Sequence, residues 1–233
     1  MNWESAAESG ALLLAPIAFW AMFHYYKDRY RPEPVLNLIL LYVLGVAAGH
    51  LCPYAYAGLD WFGLRFDAYE LAASNPPGLL LYALTVIGLL EELVKFVPFW
   101  LVGMRLHAFD EPVDGIIYAS FVALGFATAE NFAYLSTTDG WPAVARALAT
   151  PIVHCLFASI WGYTCSRARM SGKPLLPAAF VGLVIAAAAH GLYDFAAIWG
   201  GDWVALLPPL IVLVIWMWRM VLIKRLHVEQ GHE

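Results

Sequence analysis

The sequence predicts an all-α fold: a polytopic bundle of about seven transmembrane helices, with the N-terminus outside and the C-terminus cytoplasmic. Three observations predict it. First, 62% of the 233 residues are hydrophobic and only 13% are charged, whereas a soluble domain is about half apolar and about a quarter charged. A soluble chain of this length cannot hide so much apolar surface, but a bilayer accepts it. Second, the apolar residues gather into runs of the roughly 20 residues that a helix needs to cross the hydrocarbon core. Third, the basic residues alternate between successive connections as the positive-inside rule requires.

The first expected span, Ala6–Tyr26, follows Glu4 and Glu8 and precedes Lys27, Arg29 and Arg31. A cleaved signal peptide has its basic region first, so this order predicts a retained helix entering from outside. The second span, Val35–Ala57, begins after the charged turn Lys27–Pro34. The longest connection, Gly58–Pro77, carries Trp61, Phe62, Phe66 and Tyr69, an aromatic set that suits either the outer membrane surface or a packed loop. The third span, Gly78–Gly103, opens behind Asn75-Pro76-Pro77. Four more follow with short connections: Val113–Ser136, Ala143–Ser166, Pro174–Trp199 and Trp203–Ile223. Residues 1–233 therefore read as a single membrane-embedded domain of the cell membrane, with the lipid bilayer as partner and no nucleic-acid signature. Cys52, Cys155 and Cys165 read as small buried hydrophobes rather than a disulfide framework.

The basic residues test the map. One set of connections and the C-terminus hold Lys27, Arg29, Arg31, Arg105, Arg167, Arg169, Lys173, Arg219, Lys224 and Arg225, while the other holds only Arg65 and Arg146. The remaining basic residue, Lys95, lies deep within a span. A wrong span count would scramble this asymmetry.

Several ionisable groups lie where a bilayer penalises them. The third span holds Glu91, Glu92 and Lys95, the fourth Glu130 followed by Asn131, the fifth His154, and the sixth His190 and Asp194. A charge at mid-bilayer costs roughly 3 kcal/mol or more, so such residues face one another or water. Counted from the outer span ends at about 1.5 Å per residue, the four helices place them within roughly 10 Å of one depth. Glu91 and Lys95 are spaced i, i+4 and share a helix face, as do His190 and Asp194. Adjacent glutamates point about 100° apart on a helix, so Lys95 can neutralise one and leave the other available. Pro151, three residues before His154, and Pro98, after Lys95, each free a backbone carbonyl beside this layer.

Carboxylates and imidazoles in a dry pocket suit water activation. A desolvated glutamate serves as general base, and a neighbouring His or Asn donates to a developing oxyanion. Glu91, Glu130, His154 and His190 are also the donor types that hold a divalent metal such as zinc. On these residues alone two other readings stay open: a proton-coupled membrane transporter, because buried Glu and His also build proton relays, and a non-catalytic scaffold that keeps the network for packing.

The motifs narrow the choice. Glu91-Glu92-Leu93-Val94-Lys95, Phe126 to Glu130-Asn131, His154, and His190-Gly191-Leu192-Tyr193-Asp194 resemble, in order and helix placement, the motifs of the PrsW family of intramembrane proteases. Tyr26–Pro34 and Asp114-Gly115 are similar as well, so the resemblance spans roughly residues 10–200. It implies an intramembrane endopeptidase that hydrolyses peptide bonds of membrane-anchored proteins, anti-sigma factors among them, by glutamate- or metal-activated water. Glu91 is the expected general base. Glu92 is expected to pair with Lys95 or support a histidine. Glu130, His154 and His190 shape the site as ligands or oxyanion donors, and Asp194 and Asn131 orient them. The family is related to the CAAX prenyl endopeptidases of the Abi type. Members with that activity carry histidine where Glu130 stands here and arginine in the role of Lys95, which argues against prenylated substrates.

Overall fold

A computed structural model describes residues 3–201 and 203–231, with side chains from Gly10 onward, so Glu4 and Glu8 lie outside the described side chains. The helices run α1 (Trp3–Lys27), α2 (Val35–Asp60), α3 (Ala68–Ser74), α4 (Pro76–Tyr82), α5 (Gly88–Leu101), α6 (Pro112–Leu135), α7 (Gly140–Met170), α8 (Leu175–Trp199) and α9 (Leu207–Glu229). No strand occurs among the described residues. Among the described residues five stretches are long and apolar enough to cross a membrane: Val35–Asp60, Pro112–Leu135, Gly140–Met170, Leu175–Trp199 and Val204–Glu229. The two other expected spans coincide with α1 and with a composite rod. In that rod α4 and α5 are joined through a π-helical turn, Ala83–Ile87, whose flanking residues keep right-handed helical dihedrals.

Local chemistry sets the helix ends. The Asp67 carboxylate accepts the Tyr69 and Glu70 amides and starts α3 inside the long connection, leaving Trp61, Phe62, Phe66 and Tyr69 exposed. Asn75 accepts the Gly78 amide, and Pro76 and Pro77 occupy the first turn of α4. A reciprocal capping box between Glu111 and Asp114 opens α6. At this end of the bundle the α1–α2 turn is tied to α6. The Asp28 carboxylate accepts the Glu33 amide, Tyr118 donates to Glu33, and Arg31 reaches Glu111 at 2.6 Å and Asp110 at 2.9 Å. Burial pushes the Asp28 and Glu33 carboxyls up to about 7.

The centre of the molecule is α6, buried along nearly its whole length against α2, α7, α1 and α9. Small residues allow the close approaches, as is usual where helices pack without water to drive them together. A Cβ on Gly191 of α8 would run into the backbone of Ala83 and Leu84, and one on Gly88 would strike Ala187 and Gly191. This contact lies beside His190 and less than one turn before Glu91, so it brings the α5 acids to the α8 imidazole. Gly191→Ala is expected to push these helices apart, lowering stability in detergent by about 1–3 kcal/mol and removing activity. An unchanged melting temperature with full cleavage would show that the contact is not needed.

Two basic residues tallied with the connections turn into the bundle instead. Arg146 stands on α7, which begins three residues earlier than expected, and it points at the polar layer. Arg219 is fully buried on α9, which runs past Ile223 to Glu229. Its Nη2 donates to His24 Nδ1 at 3.0 Å and to Ser120 Oγ at 2.9 Å, neutral acceptors from α1 and α6, while its Nε and Nη1 are buried with no hydrogen-bond partner among the described residues.

Candidate active site

The expected polar residues converge from α5, α6, α7 and α8. Glu92 and Lys95 form the floor and are wholly inaccessible. Lys95 Nζ lies 2.5 Å from Glu92 Oε1, and His190 Nδ1 lies 2.9 Å from the same oxygen. Trp161 Nε1 donates to Glu92 Oε2 at 2.8 Å. Three donors from three helices thus satisfy Glu92 completely, which is the condition for burying a charge so deeply. It is an anchor and does not reach the cavity.

Lys95 also lies 2.9 Å from His154 Nδ1 and sits over the Phe126 ring. An ammonium only donates, so His154 Nδ1 is an acceptor and the ring hydrogen sits on Nε2. That Nε2 faces Glu130 Oε2 at 2.7 Å and donates to it. Arg146 holds the other Glu130 oxygen and lies over the Tyr134 ring. Both Glu130 oxygens are therefore engaged, and the chain Lys95–His154–Glu130–Arg146 runs from the floor to the mouth.

His190 is fixed in the complementary sense. Its Nδ1–H points at Glu92, its ring stacks on Phe157, and its Nε2 faces Glu91 Oε2 at 3.6 Å and Asp194 Oδ2 at 3.3 Å. Tyr56 donates to Glu91 Oε1 at 3.1 Å, leaving Oε2 turned toward the histidine. Above this group lies a cavity of about 500 Å³, lined by Glu91, Glu130, Arg146, His154, His190 and Asp194 among others.

The donor set fits a metal. One ligand atom each from Glu91, His154 and His190 can be chosen so that all lie within 4.8 Å of one another. Two imidazoles and a carboxylate are a recurrent zinc set. The unbonded approach of His190 Nε2 to two carboxylates calls for a proton or a cation between them. The charge balance agrees: among the described residues, Glu91, Glu92, Glu130 and Asp194 face only Lys95 and Arg146 as fixed cations.

Asn131 departs from expectation. It does not line the cavity or touch the other polar side chains. Its Nδ2 donates to the Ala147 carbonyl at 3.5 Å, the carbonyl that Pro151 leaves without its helical donor. This contact links α6 to α7. Tyr56, Trp161 and Arg146 are the functional neighbours that sequence reasoning did not single out. For Arg146 a signal existed: it stands eight residues before His154, on roughly the same helix face.

The sequence comparisons agree with this geometry. The profile described as "PrsW family intramembrane metalloprotease" matches residues 33–223. The chain is 32% identical over 186 residues to a protein named Protease PrsW from Geobacillus kaustophilus, covering 78% of this chain and 76% of that one. It is 32% identical over 206 residues to Protease PrsW of Bacillus subtilis, covering 87% and 88%. With Protease PrsW of Clostridioides difficile the identity is 30% over 219 residues, covering 91% and 88%. No solved structure matches the chain.

Proposed function

The chain belongs to the PrsW family of intramembrane metalloproteases, and from that premise we propose that Glu91 takes the proton of the attacking water. The observation that carries this is the contrast among four carboxyls in one site. Glu92 is saturated by Lys95, His190 and Trp161, and Glu130 is held on both oxygens. Asp194 faces His190, its neighbour on α8, across 3.3 Å. Glu91 alone has one oxygen fixed, by Tyr56, and the other presented beside the imidazole in the cavity.

In this reading the water oxygen bonds to the scissile carbonyl carbon as its proton passes to Glu91 Oε2. Glu91 returns that proton to the amide nitrogen as the C–N bond breaks, giving a carboxylic acid and an amine, and the acid's proton then passes to the amine to leave a carboxylate and an ammonium. Arg146, with its Nη2 on Glu130, offers positive charge at the mouth for the carbonyl oxygen. Glu92 keeps the His190 proton on Nδ1, Lys95 keeps the His154 proton on Nε2, and Asp194 orients His190. Glu91 and His190, whose Nε2 is free, would hold a divalent cation such as zinc, and His154 would complete the set on giving up the Nε2 proton that it shares with Glu130. When bound, such a cation lowers the pKa of a water and polarises a carbonyl.

The substrate class is a membrane-anchored protein cut near the outer membrane surface, of the anti-sigma-factor kind. The topology behind this is a single seven-span domain in the cell membrane, with the N-terminus outside. Removing Arg146 and Arg219 from the loop tally leaves nine basic residues at the cytoplasmic end against Arg65 alone outside. Trp61, Trp141 and Trp203 are exposed at the opposite end, where interfacial aromatics belong.

Metal removal tests the proposal. Purified protein in vesicles is expected to carry about one divalent ion per chain. A chelator should remove both the ion and the cleavage of a membrane-anchored peptide, and the metal should restore both. A His190→Ala variant that stays folded should lose the stoichiometric metal. Full activity in demonstrably metal-free protein would leave glutamate alone to activate water.

A further inference from the structure

A second built site lies where α1 and α9 end. The two helices meet through Trp20 and Phe23 against Trp216, and beyond them through the edge-on rings of Tyr30 and His227 at 4.9 Å. Between their ends is a cavity of about 330 Å³. Lys27, Arg29 and Lys224 line its polar side, and Met220 and Ile223 its apolar side.

These cations differ from their neighbours at the same end of the bundle. Arg31 is paired with Asp110 and Glu111, Arg167 with Glu229, and Arg169 donates to the Met104 carbonyl. Among the described residues no carboxylate forms an ion pair with Lys27, Arg29 or Lys224. Aromatic groups position two of them instead: Lys27 Nζ lies 5.3 Å from the Phe23 ring centre, and Arg29 packs on Tyr26 and Tyr30 at 4.9 and 4.8 Å. Three positive charges held around one concavity repel one another unless an anion joins them.

The shape of the cleft narrows the anion. From the charged pocket toward the bundle's interior the outer face of α9 continues as exposed apolar surface, with Val221 60%, Met217 50% and Val214 52% accessible. An inorganic anion would use the cations and leave that wall bare. A phosphodiester carrying acyl chains would use both. We propose that this cleft binds the headgroup phosphate of an anionic phospholipid, with Lys27, Arg29 and Lys224 on its oxygens and the chains along α9, clamping α1 to α9. Basic pockets between helices at a membrane face are the physical form such sites take. The inference uses no residue of the catalytic cavity, so it stands or falls apart from the reading of Glu91.

The test uses the full chain in phosphatidylcholine nanodiscs with or without a minor fraction of phosphatidylglycerol, reading lipid retained after detergent exchange by native mass spectrometry, and the melting temperature. Wild type should retain phosphatidylglycerol in preference to phosphatidylcholine and melt higher with it. The Lys27→Gln/Lys224→Gln variant should lose about 30-fold in that preference, from about fivefold per charge. Lys27→Arg/Lys224→Arg should keep it. Arg105→Gln/Arg225→Gln, an equal charge change outside the cleft, should also keep it. Equal losses from both Gln pairs would mean diffuse surface charge and overturn the site. Inorganic phosphate raising the melting temperature equally in pure phosphatidylcholine would make the ligand a free anion and overturn the lipid assignment. The wild-type contrast between the two lipids needs no variant, so a misfolded mutant leaves the test standing, and absence of any preference ends the proposal.

Discussion

Glu91→Gln is expected to reduce cleavage of a membrane-anchored substrate by roughly 10²–10⁴-fold, the range associated with a positioned general base, while the protein still folds. The geometry explains why the loss should exceed any loss of metal. An amide keeps an oxygen that can accept from Tyr56 and coordinate a cation, but it cannot take a proton from water. Excess metal should therefore fail to rescue the variant. If saturating metal restores the wild-type rate, Glu91 is only a ligand, and proton transfer belongs to Asp194 or Glu130. Unchanged cleavage without added metal would remove Glu91 from the chemistry altogether. Folding is a fair expectation, because Glu91 is the lightly bonded member of the pair and its substitution leaves the Glu92 contacts with Lys95, His190 and Trp161 in place.

Much of this site is legible in the sequence, and what is illegible follows a physical pattern. The spacing of Glu92 with Lys95 and of His190 with Asp194 is local, set by the pitch of one helix, so it is visible without a structure. The common depth of Glu91, Glu130, His154 and His190 is visible because bilayer thickness acts as a ruler. Which glutamate is buried is not visible. That depends on Trp161, 69 residues away, and on His190, 98 residues from Glu92, both brought in by tertiary packing. Trp161 and Tyr56 sit in apolar runs and contribute to span recognition like any aromatic residue, so their polar atoms carry no sequence signal. Arg219 misleads for a related reason. Near a helix end the positive-inside rule places it in water, and only the packing of α1 and α6 reveals His24 and Ser120 waiting for it. Helix type is local and hydropathic, while pairings are long-range.

The buried floor supplies the second large effect. Lys95→Met should lower stability by about 3–5 kcal/mol, the cost of leaving one member of a buried ion pair behind. Glu92 would keep the Trp161 and His190 donors but lose its compensating charge, and His154 would lose the donor that sets its tautomer. The Glu92→Gln/Lys95→Met double variant removes both charges and should recover most of that stability, because replacing a buried pair with neutral groups is often tolerated. It should not recover activity: without a carboxylate on Nδ1, His190 is no longer held in one tautomer, and His154 still lacks Lys95. The two readouts therefore part company, with unfolding in mixed micelles near the wild-type midpoint and cleavage near background. A double variant as unstable as the two single changes combined would mean that Glu92 and Lys95 act independently, and the floor would not be an ion pair in energetic terms. A double variant that is both stable and active would show instead that the pair serves packing alone, with the imidazoles oriented by Glu130 and Asp194.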